Sequence, residues 1–210
     1  MEVAILLYEG VTALDSVGPY EVLHLMPDTE VKFVATEKGL VRTDFGMLSL
    51  SADYSLDEVT RPDILLLPGA PDPRAVAADS SVLDWVRNAH EHTRWTTSVC
   101  TGALILGAAG LLQGIDATTH WMAHAALQDF GARPTLERVV RDGKIITAAG
   151  VSAGIDMALR LAALEFGDEL AQEIQLIIEY DPQPPFQAGS PATAPAEIRE
   201  RVLSKYELPL

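Results

Sequence analysis

The sequence has a single cysteine, Cys100, in 210 residues. That excludes an internal disulfide and argues against an oxidising compartment, where an unpaired thiol is rarely kept. No run of about 18 apolar residues is free of charges and helix breakers, so no segment is expected to span a membrane. The opening MEVAILLYEG lacks the basic stretch of a secretion signal and reads straight into a strand, so a cytoplasmic location is expected. Positive charge is scarce: 15 Lys and Arg stand against 30 Asp and Glu, a net charge of −15. Such a balance repels nucleic acid and anionic lipid, leaving small molecules as the expected ligands. Phosphate loops and dinucleotide fingerprints are missing as well, so no cofactor is expected.

What is present is enough apolar material, 48% of residues, to bury a large core. Residues 2–8 (EVAILLY) form a nearly continuous apolar run, as expected of a strand buried on both faces. Residues 31–36 and 63–67 repeat the pattern, and 95–99 (WTTSV) add a strand rich in β-branched residues. Helical spacing is found over 17–26, 80–92, 101–112, 151–166 and 168–178. Strands alternating with helices predict an α/β fold, a parallel sheet covered by helices on both faces, with residues 1–210 as one domain. Residues 43–50 look like an antiparallel excursion. Residues 138–147 form a hairpin turning at Asp142-Gly143. Residues 180–195 are dense in proline and irregular. They read as a solvated linker or as a strap, centred on Phe186, that closes a pocket. A short helix over 196–206 follows.

The segment WTTSVCTGAL places Cys100 at the junction of a strand and a helix of small residues. A turn of this kind holds a nucleophile in a strained backbone conformation and presents its side chain. The helix N-terminus beyond it favours negative charge, so the thiol is expected to be exposed and its pKa lowered. A lone cysteine is otherwise most often an inert core residue. Asp15 follows the first strand on the same sheet edge, where ligands gather in parallel α/β sheets. A partly buried carboxyl beside a thiol can shuttle a proton near neutrality, although Thr12 to Asp15 also reads as a helix-capping pattern.

The stretches ALDSVGP (13–19), LPGA (67–70), SVCTG (98–102) and ATTHW (117–121) resemble the ThiJ/PfpI superfamily, whose sheet is similar to that of class I glutamine amidotransferases and is flavodoxin-like. Within it, ERVVRDG (137–143), AGID (153–156) and the 180–195 segment are most similar to the isocyanide hydratases. The resemblance covers nearly the whole chain. It implies a nucleophile elbow at Cys100, with Asp15 as the acidic partner. Many members carry Glu at that place; the hydratases carry Asp.

The resemblance further implies that Thr101 hydrogen-bonds the aspartate and orients it. Peptidases of the superfamily have a histidine where Thr101 stands, and a hydroxyl is no base at neutral pH, so peptidase chemistry is not expected. Gly69 and Ala70 match a turn whose N–H groups face developing negative charge, although Ala70 replaces the usual Gly and Pro71 removes a donor. His120 matches a histidine near the nucleophile and reads as structural rather than as the base. His120 and His124 stand at metal-ligand spacing without an accompanying Glu, so no metal is expected; His90 and His92 read as solvated. The implied activity is hydration of an isocyanide to an N-substituted formamide by a cysteine-dependent lyase. Alternatives are a glyoxalase or deglycase, and a ligand- or redox-sensing protein without turnover. A homodimer is implied too, with Tyr20, Leu23 and His24 as interface candidates.

Overall fold

The computed structural model describes residues 1–206. From the N-terminus run β1 (Glu2–Leu6), α1 (Ala13–Leu23), β2 (Glu30–Ala35), β3 (Gly39–Arg42), β4 (Ser49–Ala52), β5 (Tyr54–Ser55) and β6 (Ile64–Leu67). Then come α2 (Arg74–Ala77), α3 (Ser80–His92), β7 (Trp95–Val99), α4 (Gly102–Ala108), β8 (Asp116–Ala117), a 3-10 helix (Trp121–Phe130) and β9 (Arg133–Pro134). The chain continues through β10 (Val139–Asp142), β11 (Ile145–Ala148), α5 (Ala153–Phe166), α6 (Asp168–Ile177) and α7 (Ala196–Lys205). Among the described residues no helix is long and apolar enough to cross a membrane.

A 7-stranded sheet in the order β10-β11-β7-β6-β1-β2-β5 organises these elements. It is parallel except for the β10–β11 hairpin at one edge, which turns through Gly143 at φ +57. The central strands are apolar on both sides because both sides are covered. Val3, Ile5, Ile64 and Leu66 face α1 and α5, whereas Ala4, Leu6, Leu65 and Leu67 face α3 and α4. This is the two-residue alternation of a strand, with each face given its own apolar layer.

The strand order reverses at β1, which has β2 on one side and β6 on the other. Loops leaving the C-terminal ends of β1 and β6 therefore diverge, and a crevice opens between them. Asp15, Gly69 and Cys100 all lie just beyond the ends of β1, β6 and β7, at that edge.

Several boundaries differ from the periodicity reading. Helix α1 starts at Ala13 rather than at 17: Pro19 sits inside it, forgoing only one helical hydrogen bond. Helix α4 ends at Ala108, before Gly110 at φ +81, and so is shorter than 101–112. The antiparallel excursion is the pair β3–β4, and residues 43–48 are its connecting loop. His90 is half-buried, with Nδ1 2.8 Å from Thr96 Oγ1, and not solvated. Leu23 is wholly buried in its own core, which removes it from any interface.

Candidate active site

The elbow begins where β7 delivers Cys100 into a left-handed conformation, φ +58, rare for a residue with a Cβ. The backbone is held there on both sides. Its N–H donates to the Ala148 and Ala149 carbonyls at 3.1 and 3.0 Å, and the Thr119 hydroxyl donates to its carbonyl at 2.8 Å. Strain of this kind persists only where the surroundings over-determine it. The turn presses tightly on the β6 loop: a Cβ on Gly102 would overlap the Leu67 carbonyl, and one on Gly69 would stand 2.5 Å from the Thr101 nitrogen.

The expected exposed, acidified thiol is not what the structure holds. Cys100 is 5% exposed, and burial first, then the charge of Asp15, push its pKa well above the usual thiol range. The N–H groups of Val151 and Thr101 pull the other way without prevailing. Desolvation of a nearly closed site outweighs the end of the 7-residue helix α4.

Asp15 is 0% exposed, in the first turn of α1. The capping alternative fails, since Thr12 makes no side-chain cap and its hydroxyl donates instead to Asp44 Oδ2 at 3.2 Å. Asp15 Oδ2 accepts the Gly69 N–H at 2.9 Å, while Oδ1 has no nitrogen or oxygen partner. The Cys100 thiol is the further group that favours its ionised form. Burial nonetheless dominates and raises the carboxyl from 3.8 to about 7, helped by the charge of Asp44. Both acids are thus pushed upward chiefly by the same cause, burial that strips water from the charged form.

Thr101 does not orient Asp15. Its hydroxyl donates to the Ala70 carbonyl at 2.6 Å and accepts the Ala70 N–H at 2.8 Å, clasping the β6 loop to the elbow. The Gly69 N–H orients the carboxyl instead. Both backbone donors expected to form an oxyanion hole are therefore occupied, Gly69 by Asp15 and Ala70 by Thr101. The N–H groups that face the thiol are those of Thr101 and Val151. Val151 sits at φ +39, an outlier for a β-branched side chain, where the loop after β11 swings over Cys100.

His120 lies beside the site, with Nδ1 accepting the Met122 N–H at 3.4 Å and burial lowering its pKa. It is a neutral ring hydrogen-bonded to backbone, with no bond to Cys100 or Asp15 among the described residues. His124 Nε2 bonds the Thr135 carbonyl, so the pair does not converge. Tyr8 was not singled out by the sequence reading. Its hydroxyl donates to the Pro68 carbonyl at 2.9 Å, and burial, Asp15 and Cys100 raise its pKa in that order.

A cavity of about 290 Å³ opens onto Cys100. Thr101, Ala70, His120, Trp121, Val151 and Asp44 line it, together with Val202 and Tyr206 from the far end of the chain. Larger hollows among the described residues, of about 620 Å³ beside Glu30 and Asp63, about 540 Å³ beside Arg138 and Tyr180 and about 500 Å³ beside Leu14 and Ile155, do not reach Cys100. Phe186, proposed as the centre of a strap, is 76% exposed; α7 closes the cavity in its place. Asp44, Val151, Val202 and Tyr206 had no motif to reveal them, because sequence-distant loops bring them together.

Residues 1–164 match the DJ-1/PfpI family. The chain is 43% identical over 212 aligned positions to an isonitrile hydratase of Pseudomonas putida, covering 99% of this chain and 92% of that one. It is 33% identical over 144 positions to an HTH-type transcriptional regulator of Pseudomonas aeruginosa, covering 67% of this chain and 42% of the regulator. Among solved structures, a THiJ/PfpI family protein from Pseudomonas syringae superposes with a TM-score of 0.93 at 39% identity, over 98% of this chain and 86% of that one.

Proposed function

This chain belongs to the DJ-1/PfpI family, and from that premise we propose that it hydrates an isocyanide, R–N≡C, to an N-substituted formamide. The observation that carries the proposal is the buried Cys100–Asp15 pair: Cys100 faces the cavity, and the wholly buried Asp15 is hydrogen-bonded to its thiol. Similarity to an isonitrile hydratase over nearly the full chain supports the choice of substrate.

With Asp15 poised near 7, the pair holds at least one proton at neutral pH, and that proton can move between sulfur and carboxyl. When it sits on Asp15, the Cys100 thiolate is held by the Thr101 and Val151 N–H groups. The thiolate attacks the terminal carbon of the isocyanide, and Asp15 protonates the same carbon, giving a thioimidate, R–N=CH–S–Cys. Asp15, now a carboxylate, takes a proton from water as that water adds to the carbon and passes it to the nitrogen, giving R–NH–CH(OH)–S–Cys. The hydroxyl proton then returns to Asp15 as the C–S bond breaks, releasing R–NH–CHO and the Cys100 thiolate. Atoms balance with water alone, so the scheme uses no cofactor. His120, neutral and bonded to backbone, is not the proton carrier. Gly69 positions the carboxyl, and Thr101 positions the loop that holds Gly69 and Ala70.

A cytoplasmic homodimer belongs to the same reading. The exposed Phe45 and Met47 on the β3–β4 loop give a partner copy apolar surface to cover, and a reducing compartment keeps the lone thiol reduced. Sedimentation as a monomer at micromolar concentration rejects the dimer.

The test of the activity is direct. Purified protein is given an aryl isocyanide, and formamide is followed by chromatography. Wild type is expected to turn over and Cys100→Ala to give nothing above the uncatalysed rate. Wild type that leaves both aryl and alkyl isocyanides untouched refutes the hydratase. In that event, covalent capture of a small electrophile at Cys100 favours a sensor, the reading supported by the likeness to a transcriptional regulator.

A further inference from the structure

Helix α7 is joined to the rest of the molecule by an exposed segment carrying Pro182, Pro184, Pro185, Pro191 and Pro195. A proline-rich connection of this kind is a semi-rigid spacer with few conformations to lose. The helix it delivers buries none of its residues in a core. Yet Val202 and the following Tyr206 line the cavity above Cys100. A helix that contributes nothing to the core and still supplies part of the cavity wall has the cavity as its business.

Trp121, Met122 and Val151 give the wall apolar surface, and among the described residues Asp44 is the one carboxylate lining it. Asp44 lies on a chain of net charge −15, so an anionic substituent is repelled at the mouth. An apolar cavity of about 150 Å³ holds one benzene molecule. The cavity here, about 290 Å³, therefore has room for a ring and the reacting group beyond it.

We propose that Val202 and Tyr206 are specificity-determining residues: α7 forms the outer wall of the Cys100 cavity and selects neutral, ring-sized apolar substituents on the electrophile. As a statement about substrates this rests on the hydratase reading; as a statement about access to the thiol it does not. The wall contacts only the part of the molecule distant from the reacting carbon, so its loss acts on the choice among substrates. Truncating an apolar wall is worth roughly 10-fold or more in discrimination between substrates that do and do not reach it.

The experiment compares kcat/KM for phenyl isocyanide with that for methyl isocyanide in wild type, Val202→Ala, Tyr206→Ala and Leu203→Ala. Leu203 lies on the same helix, 47% exposed and away from the cavity. The phenyl-to-methyl ratio is expected to fall about 10-fold in Val202→Ala and Tyr206→Ala and to hold in Leu203→Ala. An unchanged ratio in the first two, or an equal fall in Leu203→Ala, overturns the assignment. Labelling of Cys100 by N-phenylmaleimide against N-methylmaleimide in the same proteins gives a second reading. If wild type turns over neither isocyanide, the hydratase fails and this labelling ratio alone decides. A fall in Val202→Ala and Tyr206→Ala but not in Leu203→Ala supports the wall; any other pattern overturns it.

Discussion

Replacing Asp15 by asparagine should make the folded protein more stable above neutral pH while removing its activity. The carboxyl is fully buried, and its pKa rises from 3.8 to about 7, chiefly through desolvation. In the unfolded chain Asp15 loses its proton near 3.8; in the folded protein it keeps it until about 7. Across that window the native state binds more protons, so stability falls as pH rises. Below the window both states are protonated and nothing is lost. Three pH units at about 1.4 kcal/mol each give a penalty of about 4 kcal/mol once the folded carboxyl is ionised. Asparagine cannot ionise and escapes it, and its side-chain oxygen still accepts the Gly69 N–H. A residual mismatch beside the thiol costs about 1 kcal/mol. Asp15→Asn is thus expected to exceed wild type by roughly 3 kcal/mol at pH 8 and to show no advantage at pH 4. Urea unfolding of both proteins at the two pH values measures this, and taking the difference removes the other titrating groups. A difference that is the same at pH 4 and pH 8 refutes the buried, raised carboxyl. In the same variant, formamide production should drop by about 10²- to 10⁴-fold through loss of acid–base assistance.

Other substitutions test the remaining parts. Thr101→Val strips both partners from Ala70, leaving a buried N–H and carbonyl unpaired. It should destabilise by about 2 kcal/mol in urea unfolding and lower kcat less than Asp15→Asn does. Gly102→Ala forces a Cβ onto the Leu67 carbonyl and should destabilise by about 3 kcal/mol or more, with Cys100 labelling altered as the elbow shifts. His120→Ala should change kcat only mildly, and the wild-type rate should fall above about pH 7 with Asp15, the variant keeping that limb. A His120 variant as inactive as Cys100→Ala would overturn the choice of proton carrier.

The sheet and its two apolar layers are local matters of pattern. Continuous apolar strands, helical spacing between them and a turn at Asp142-Gly143 are written in neighbouring residues, so residues 80–92, 95–99 and 168–177 could be read closely. The place of Cys100 at the turn was legible for the same reason, since strand, cysteine and small residues are contiguous in WTTSVCTG. The pairing of Asp15 with Cys100 followed from two strand ends at one sheet edge. What these residues do to one another was not legible. The local pattern predicts an exposed, acidified thiol at a helix end, and the family resemblance implies a threonine on the aspartate. The structure has a buried thiol with its pKa raised, Thr101 on Ala70, and Gly69 holding Asp15. Val151, Asp44, Val202 and Tyr206 reach the cavity only because separate loops and α7 converge on it. Local propensity is set within a few residues and can be read along a chain. Burial, and with it proton affinity and hydrogen-bond choice, depends on which distant segments exclude water from a site, and only the folded arrangement decides that.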